Sequence, residues 1–149
     1  MARGKKYKSA LTKVDKLKTY SLEDAVKRFG SFQSTDRRPQ LWAKFSQFVI
    51  EAKAGGVVLY LIADGSFVTA EPAPNDIDLV LVVPASHNFE ADLPPAQYAL
   101  LAQRRVQKRF GFDIVVVKDG SENLEQAVAF FQQVRERPGM KKGLLRIAL

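Results

Sequence analysis

Three short segments of this chain are apolar almost without interruption, and they leave few folds open to it. Residues 57–63 (VVLYLIA), 79–83 (LVLVV) and 112–117 (FDIVVV) are rich in β-branched side chains. Runs of that length and character fit strands covered on both faces. Between them the apolar period changes to that of a helix. In residues 37–54, Leu41, Phe45, Phe48 and Ala52 recur at helical spacing beside Trp42 and Val49, and Gly55-Gly56 ends the pattern. After Pro94-Pro95, a second helix is expected from residue 96 to about 109, with Tyr98, Ala102, Val106 and Phe110 on one stripe. Ser121 is placed to cap a third, through Leu124, Ala127, Val128, Phe131 and Val134, ended by Pro138-Gly139. Residues 143–149 (GLLRIAL) read as a last strand. Strands interleaved with helices predict an α/β (α+β) fold, a small mixed β-sheet with flanking helices.

A chain of 149 residues, 46% hydrophobic, suffices for one domain with a closed core. Charge divides it. Residues 1–18 hold seven basic side chains (Arg3, Lys5, Lys6, Lys8, Lys13, Lys16, Lys18) against Asp15 alone, so they carry +6 of the net +7. We therefore read residues 1–19 as a basic arm and 20–149 as the folded domain. Such an arm suits contact with RNA or another polyanion, and equally a solubilising end. Ser21, with Asp24 three residues on, has the pattern of a helix N-cap opening a brief helix through Leu22, Ala25, Val26 and Phe29. The chain has no cysteine, which excludes disulfides and thiolate metal sites. No apolar run approaches the roughly 20 residues that span a bilayer, and the basic start lacks a signal peptide's apolar core. A cytoplasmic protein without membrane contact is the expectation.

The chemistry concentrates in GSFVTAEPAPNDIDLVLVV, residues 65–83. If Asp76 and Asp78 both enter the strand, they project to one side about 7 Å apart at Cα, with Ile77 and Leu79 opposite. Like charges so placed repel unless a cation or proton compensates them, and hard oxygen donors at this spacing suit Mg²⁺ or Mn²⁺. Upstream, Gly65-Ser66 leaves one apolar strand nine residues before the Asp-x-Asp that opens the next. A glycine there allows close backbone approach, and the serine offers an N–H and a hydroxyl to a phosphate. Asp64, immediately before Gly65, adds a negative charge beside that position unless its side chain turns to the other side of the strand. In haloacid-dehalogenase-type phosphatases the apolar run precedes the Asp-x-Asp, whereas here it follows, which argues against that chemistry.

The pattern of Gly65-Ser66 followed by Asp76-Ile77-Asp78-Leu79 resembles the signature of the polymerase-beta-like nucleotidyltransferase superfamily. The resemblance covers roughly residues 41–117. A further likeness, to uncharacterised bacterial proteins with a nucleotidyltransferase-like domain, takes in YSLEDAVKRF, the helix opening at Arg38 and Leu41, and KGLLRIAL. The superfamily resemblance implies a third carboxylate from a later strand, for which Asp113 is placed. It further implies Mg²⁺ or Mn²⁺ held by Asp76, Asp78 and Asp113, an NTP whose phosphates lie at Gly65 and Ser66, and transfer of its nucleotide monophosphate to a hydroxyl on a protein, RNA or small molecule. A protein partner supplying the acceptor or a second domain, in the manner of a toxin–antitoxin pair, is part of that expectation. The sheet is expected to carry the three acids on one face and its helices on the other. The competing expectation is a non-catalytic module that binds RNA or protein through the arm.

Two further features carry less. Arg104, Arg105, Lys108 and Arg109 form adjacent rows on one helix, a solvated face or a phosphate contact. His87, the single histidine, has no nucleophile motif beside it and reads as surface. The first residues, MARGKKYKSALTKVDKLKTYSLEDAV, resemble the start of the large-subunit ribosomal stalk protein, which implies RNA contact.

Overall fold

The computed structural model of the chain describes residues 19–21, 24, 36–69, 71 and 73–149. Most of the basic arm and the helix expected through Leu22, Ala25, Val26 and Phe29 lie outside these residues. The cap of that helix lies within them: Ser21 Oγ accepts from the Asp24 N–H at 3.2 Å and donates to Asp24 Oδ2 at 3.0 Å. Just before it, β1 (Thr19–Tyr20) pairs with the last strand, so the sheet takes in Thr19, one residue ahead of the expected domain start.

The first long amphipathic stretch forms α1 (Arg37–Gly55), with Leu41, Phe45, Phe48, Val49 and Ala52 buried. It stops where Gly56 turns left-handed and donates its N–H to the Ala52 carbonyl. The strands are β2 (Tyr60–Asp64), β3 (Asp78–Val83), β4 (Asp113–Lys118) and β5 (Leu145–Ala148). Their order in the sheet is β1-β5-β2-β3-β4. The β2 strand runs antiparallel to both neighbours, while β1 with β5 and β3 with β4 are parallel pairs. This is the small mixed sheet that the sequence predicts.

The helix expected after Pro94-Pro95 is two helices, α2 (Pro95–Leu101) and α3 (Gln103–Phe110), broken at Ala102, whose backbone is extended. Phase explains the break. The buried residues are Leu100, Val106 and Phe110, and Leu100 and Val106 would lie about 120° apart around a continuous helix. One extended residue lets both face the core. Tyr98, expected on the stripe, is exposed and carries the Arg105 guanidinium over its ring.

One face of the sheet, with Leu61, Ala63, Leu79, Leu81, Ile114 and Ile147, packs against α1, α2 and α3. Phe48 meets Phe110 and Phe112 edge-on at ring separations of 5.3 and 6.0 Å. The other face, with Ile62, Val80, Val82 and Val117, lies under Leu124, Ala127, Val128 and Phe131 of α4 (Glu122–Gln132), which Ser121 Oγ caps at the Leu124 N–H. The sheet is therefore helix-covered on both faces. The expectation of a helix-free carboxylate face is corrected, because β3 is apolar on both sides and each side needs a cover. The α4 helix ends at Gln132, before Val134. Residues 133–142 then form a loop closed by the Lys142 N–H on the Gln132 carbonyl at 2.8 Å and a bridge between Gln133 and Lys141. Among the described residues no helix is long and apolar enough to cross a membrane.

Candidate functional site

Strand register builds the site. Antiparallel pairing sets Asp64 of β2 opposite Asp78 of β3, and parallel pairing sets Asp78 beside Asp113 of β4. Neighbouring strands lie about 4.8 Å apart, so the three acids form a row across one end of the sheet with Asp78 in the middle. Alternation from Ile62, Val80 and Val117 puts all three on the α4 side. Asp64 thus does not turn away. It is the most buried of the row, at 3% exposure, while Asp113 is exposed and accepts a hydrogen bond from Gln107 Nε2 at 3.2 Å.

The strand β3 begins at Asp78, so Asp76 stands in the loop ahead of it, and the expected pair on a single strand is corrected to one strand residue and one loop residue. They remain electrostatic neighbours. Burial pushes the Asp78 carboxyl above the usual carboxylate range, with Asp76, Asp64 and Asp113 adding to the rise and Lys142 opposing it. Burial likewise raises Asp64, opposed by Lys142, the Gly65 N–H and Arg135. Lys142 Nζ lies 2.9 Å from the buried Asp64 Oδ1, and this ion pair works against the effect of burial on the Asp64 carboxyl.

Gly65 turns the chain out of β2 at φ 88°, ψ −169°, a region open essentially to glycine alone. A Cβ there would sit 3.1 Å from Asp78 Oδ2 and 3.6 Å from the Asp76 carbonyl. The glycine therefore lets the loop lie against the Asp78 carboxylate. The hydroxyl of Ser66 accepts from the Asn75 N–H at 3.3 Å, which ties the start of the loop to the residue before Asp76 and keeps its own proton for donation.

Two residues that sequence reasoning left without a role hold this loop. The Arg38 guanidinium, 1% exposed, donates to the carbonyls of Phe67 at 2.7 Å, Thr69 at 2.6 Å and Glu71 at 2.7 and 3.1 Å. Arg37 donates to the carbonyls of Pro74, at 3.1 Å, and Asn75. A signal existed: Arg38 falls on the same helical stripe as Leu41, Phe45 and Phe48, where a charge is out of place unless paired. The basic row on α3 is partly absorbed, since Arg109 forms a two-pronged pair with Glu51. His87 is half-buried with its ring edge-on to Phe89 at 4.8 Å, apart from this site.

A family model matches residues 12–148. The chain belongs to DUF6932, a family of unknown function. Neither curated proteins nor solved structures gave a match. In this DUF6932 chain the row offers hard oxygen donors of the kind a divalent cation takes, and burial first, then the charges of Asp76, Asp64 and Asp113, raises the Asp78 carboxyl. As they stand, no three acidic or histidine side chains among the described residues are disposed to hold one.

Proposed function

We propose that this DUF6932 protein is a metal-dependent nucleotidyltransferase that moves a nucleotide monophosphate from an NTP to a hydroxyl of a protein, RNA or small-molecule acceptor. The observation that carries the reading is the register row of Asp64, Asp78 and Asp113, with Gly65 bent against the Asp78 carboxylate in a conformation other residues avoid. Asp76, Asp78 and Asp113 would hold Mg²⁺ or Mn²⁺, which when bound supplies charge stabilisation at the transferring phosphoryl group. Asp113, exposed at the edge strand, would accept the acceptor's hydroxyl proton. The acceptor oxygen would bond to the α-phosphorus as the bond to the β-phosphate oxygen breaks, and pyrophosphate would leave. Ser66, with its proton available, would donate to the departing phosphates. A partner chain supplying the acceptor, and a cytoplasmic setting, belong to this reading.

The test is calorimetry of ATP, GTP, CTP and UTP binding in Mg²⁺, repeated with Asp76→Ala/Asp78→Ala. The reading expects metal-dependent binding of at least one nucleotide that the double substitution abolishes; binding indifferent to it sinks the reading. A second reading, a non-catalytic module, draws on the seven basic residues of the first 18. It expects RNA affinity that falls steeply with salt, and a shallower salt slope after Lys5, Lys6 and Lys8 are changed to Gln.

A further inference from the structure

We propose that Lys142 is a built-in counter-ion of the carboxylate row, and that a divalent cation can load the site only by displacing its ammonium from Asp64. The proposal rests on the metal-site reading above and adds a regulating residue to it.

Three observations carry it. Lys142 Nζ and Asp64 Oδ1 are 2.9 Å apart, and their side chains are 21% and 5% exposed, so the pair is shielded from water. A shielded charge pair is screened little by salt. Asp64 Oδ1 is buried against the Lys142 ammonium, so it faces a cation rather than water. Asp64 also stands in register opposite Asp78, so the ammonium paired with Asp64 sits beside the centre of the row.

The attachment of Lys142 allows exchange. Its backbone is fixed, because its N–H closes the 133–142 loop on Gln132 and β5 begins three residues later. The ammonium rides on a flexible four-carbon stem that can swing without moving that backbone. While it is seated, Asp64 is engaged and a second cation at the row meets a positive charge within a few ångströms. A single charge at that range in a partly buried site is worth tenfold or more in affinity.

The experiment is Mn²⁺ titration, without nucleotide, of the full chain and of Lys142→Met, Lys142→Arg and Asp76→Ala/Asp78→Ala, followed by calorimetry. Lys142→Met should bind Mn²⁺ about tenfold or more tighter than wild type, whereas Lys142→Arg, which keeps the charge, should stay within about threefold. Equal or weaker binding by Lys142→Met, or equal tightening by both, overturns the proposal. Should Lys142→Met fail to fold, the wild-type chain still answers: acylation of the Lys142 amine by an amine-reactive reagent should speed up as Mn²⁺ is added, and an unchanged rate overturns it. Mn²⁺ binding that ignores Asp76→Ala/Asp78→Ala, or that no chain shows, removes the metal site itself. Binding that needs those aspartates but ignores Lys142 removes only this inference.

Discussion

Two segments reach the carboxylate row, and they are held in opposite ways. Residues 65–76, between β2 and β3, are gripped through their own main chain by Arg37 and Arg38 of α1, with one guanidinium almost wholly buried. Residues 133–142, between α4 and β5, are closed at their base and reach the row through the Lys142 ion pair on a flexible stem, with the Arg135 charge acting on the same carboxyl. A buried guanidinium bonded to several carbonyls cannot leave without breaking all of those bonds at once. An ammonium facing one carboxylate can be traded for another cation. The site thus has one fixed wall and one exchangeable wall, and the chain spends a buried arginine on the wall that sets geometry.

That contrast can be broken most forcefully at Arg38. Replacing it with Ala should cost about 3–5 kcal/mol, since it removes a buried guanidinium bonded at once to the carbonyls of Phe67, Thr69 and Glu71. Denaturant melts read this directly, and Arg38→Lys should recover little of it, because a single ammonium cannot replace the fork. A loss under 1 kcal/mol would mean the loop holds itself. Gly65→Ala comes next, at about 1–3 kcal/mol for the strained backbone. It should also weaken Mn²⁺ binding, because the new methyl group presses on Asp78 Oδ2.

Asp78→Asn should act in the other direction. The folded-state carboxyls of Asp64 and Asp78 titrate above their unfolded values, so the fold favours their protonated forms. Their contribution is fully present below the ordinary carboxylate range and is lost as pH rises through the raised values. Metal-free stability should therefore decline from acid towards neutral pH, and Asp78→Asn should flatten that decline and raise the neutral Tm. A lower neutral Tm would show the row is not repulsive. The smallest effect on folding belongs to Asp113→Asn, within about 0.5 kcal/mol in denaturant melts because the residue is exposed, and under the proposed function the same change should abolish nucleotide transfer.

The fold was legible in the sequence because it follows local patterns: apolar runs locate β2, β3 and β4. Asp78 and Asp113 were singled out by motif and by the superfamily resemblance, and the parallel pairing of β3 with β4 sets them side by side. Asp64 was not legible: alternation permits either side, and only the pairing of Asp64 with Asp78 decides it. Asp76 was misplaced within its strand for the same reason, since β3 begins where β2 and β4 begin to pair with it. The break at Ala102 depends on which residues meet the core, beyond the reach of helical period alone. Lys142 carries no local motif at all, and its role exists only because β5 runs beside β2 and brings the preceding loop to the row.

If Asp78 and its neighbours hold a divalent cation as proposed, the paramagnetic resonance of free Mn²⁺ reports it. Added to wild-type protein, Mn²⁺ should lose its free signal in a saturable way, and Asp78→Ala should restore it. A free signal that falls equally with wild type and with Asp78→Ala would contradict the account.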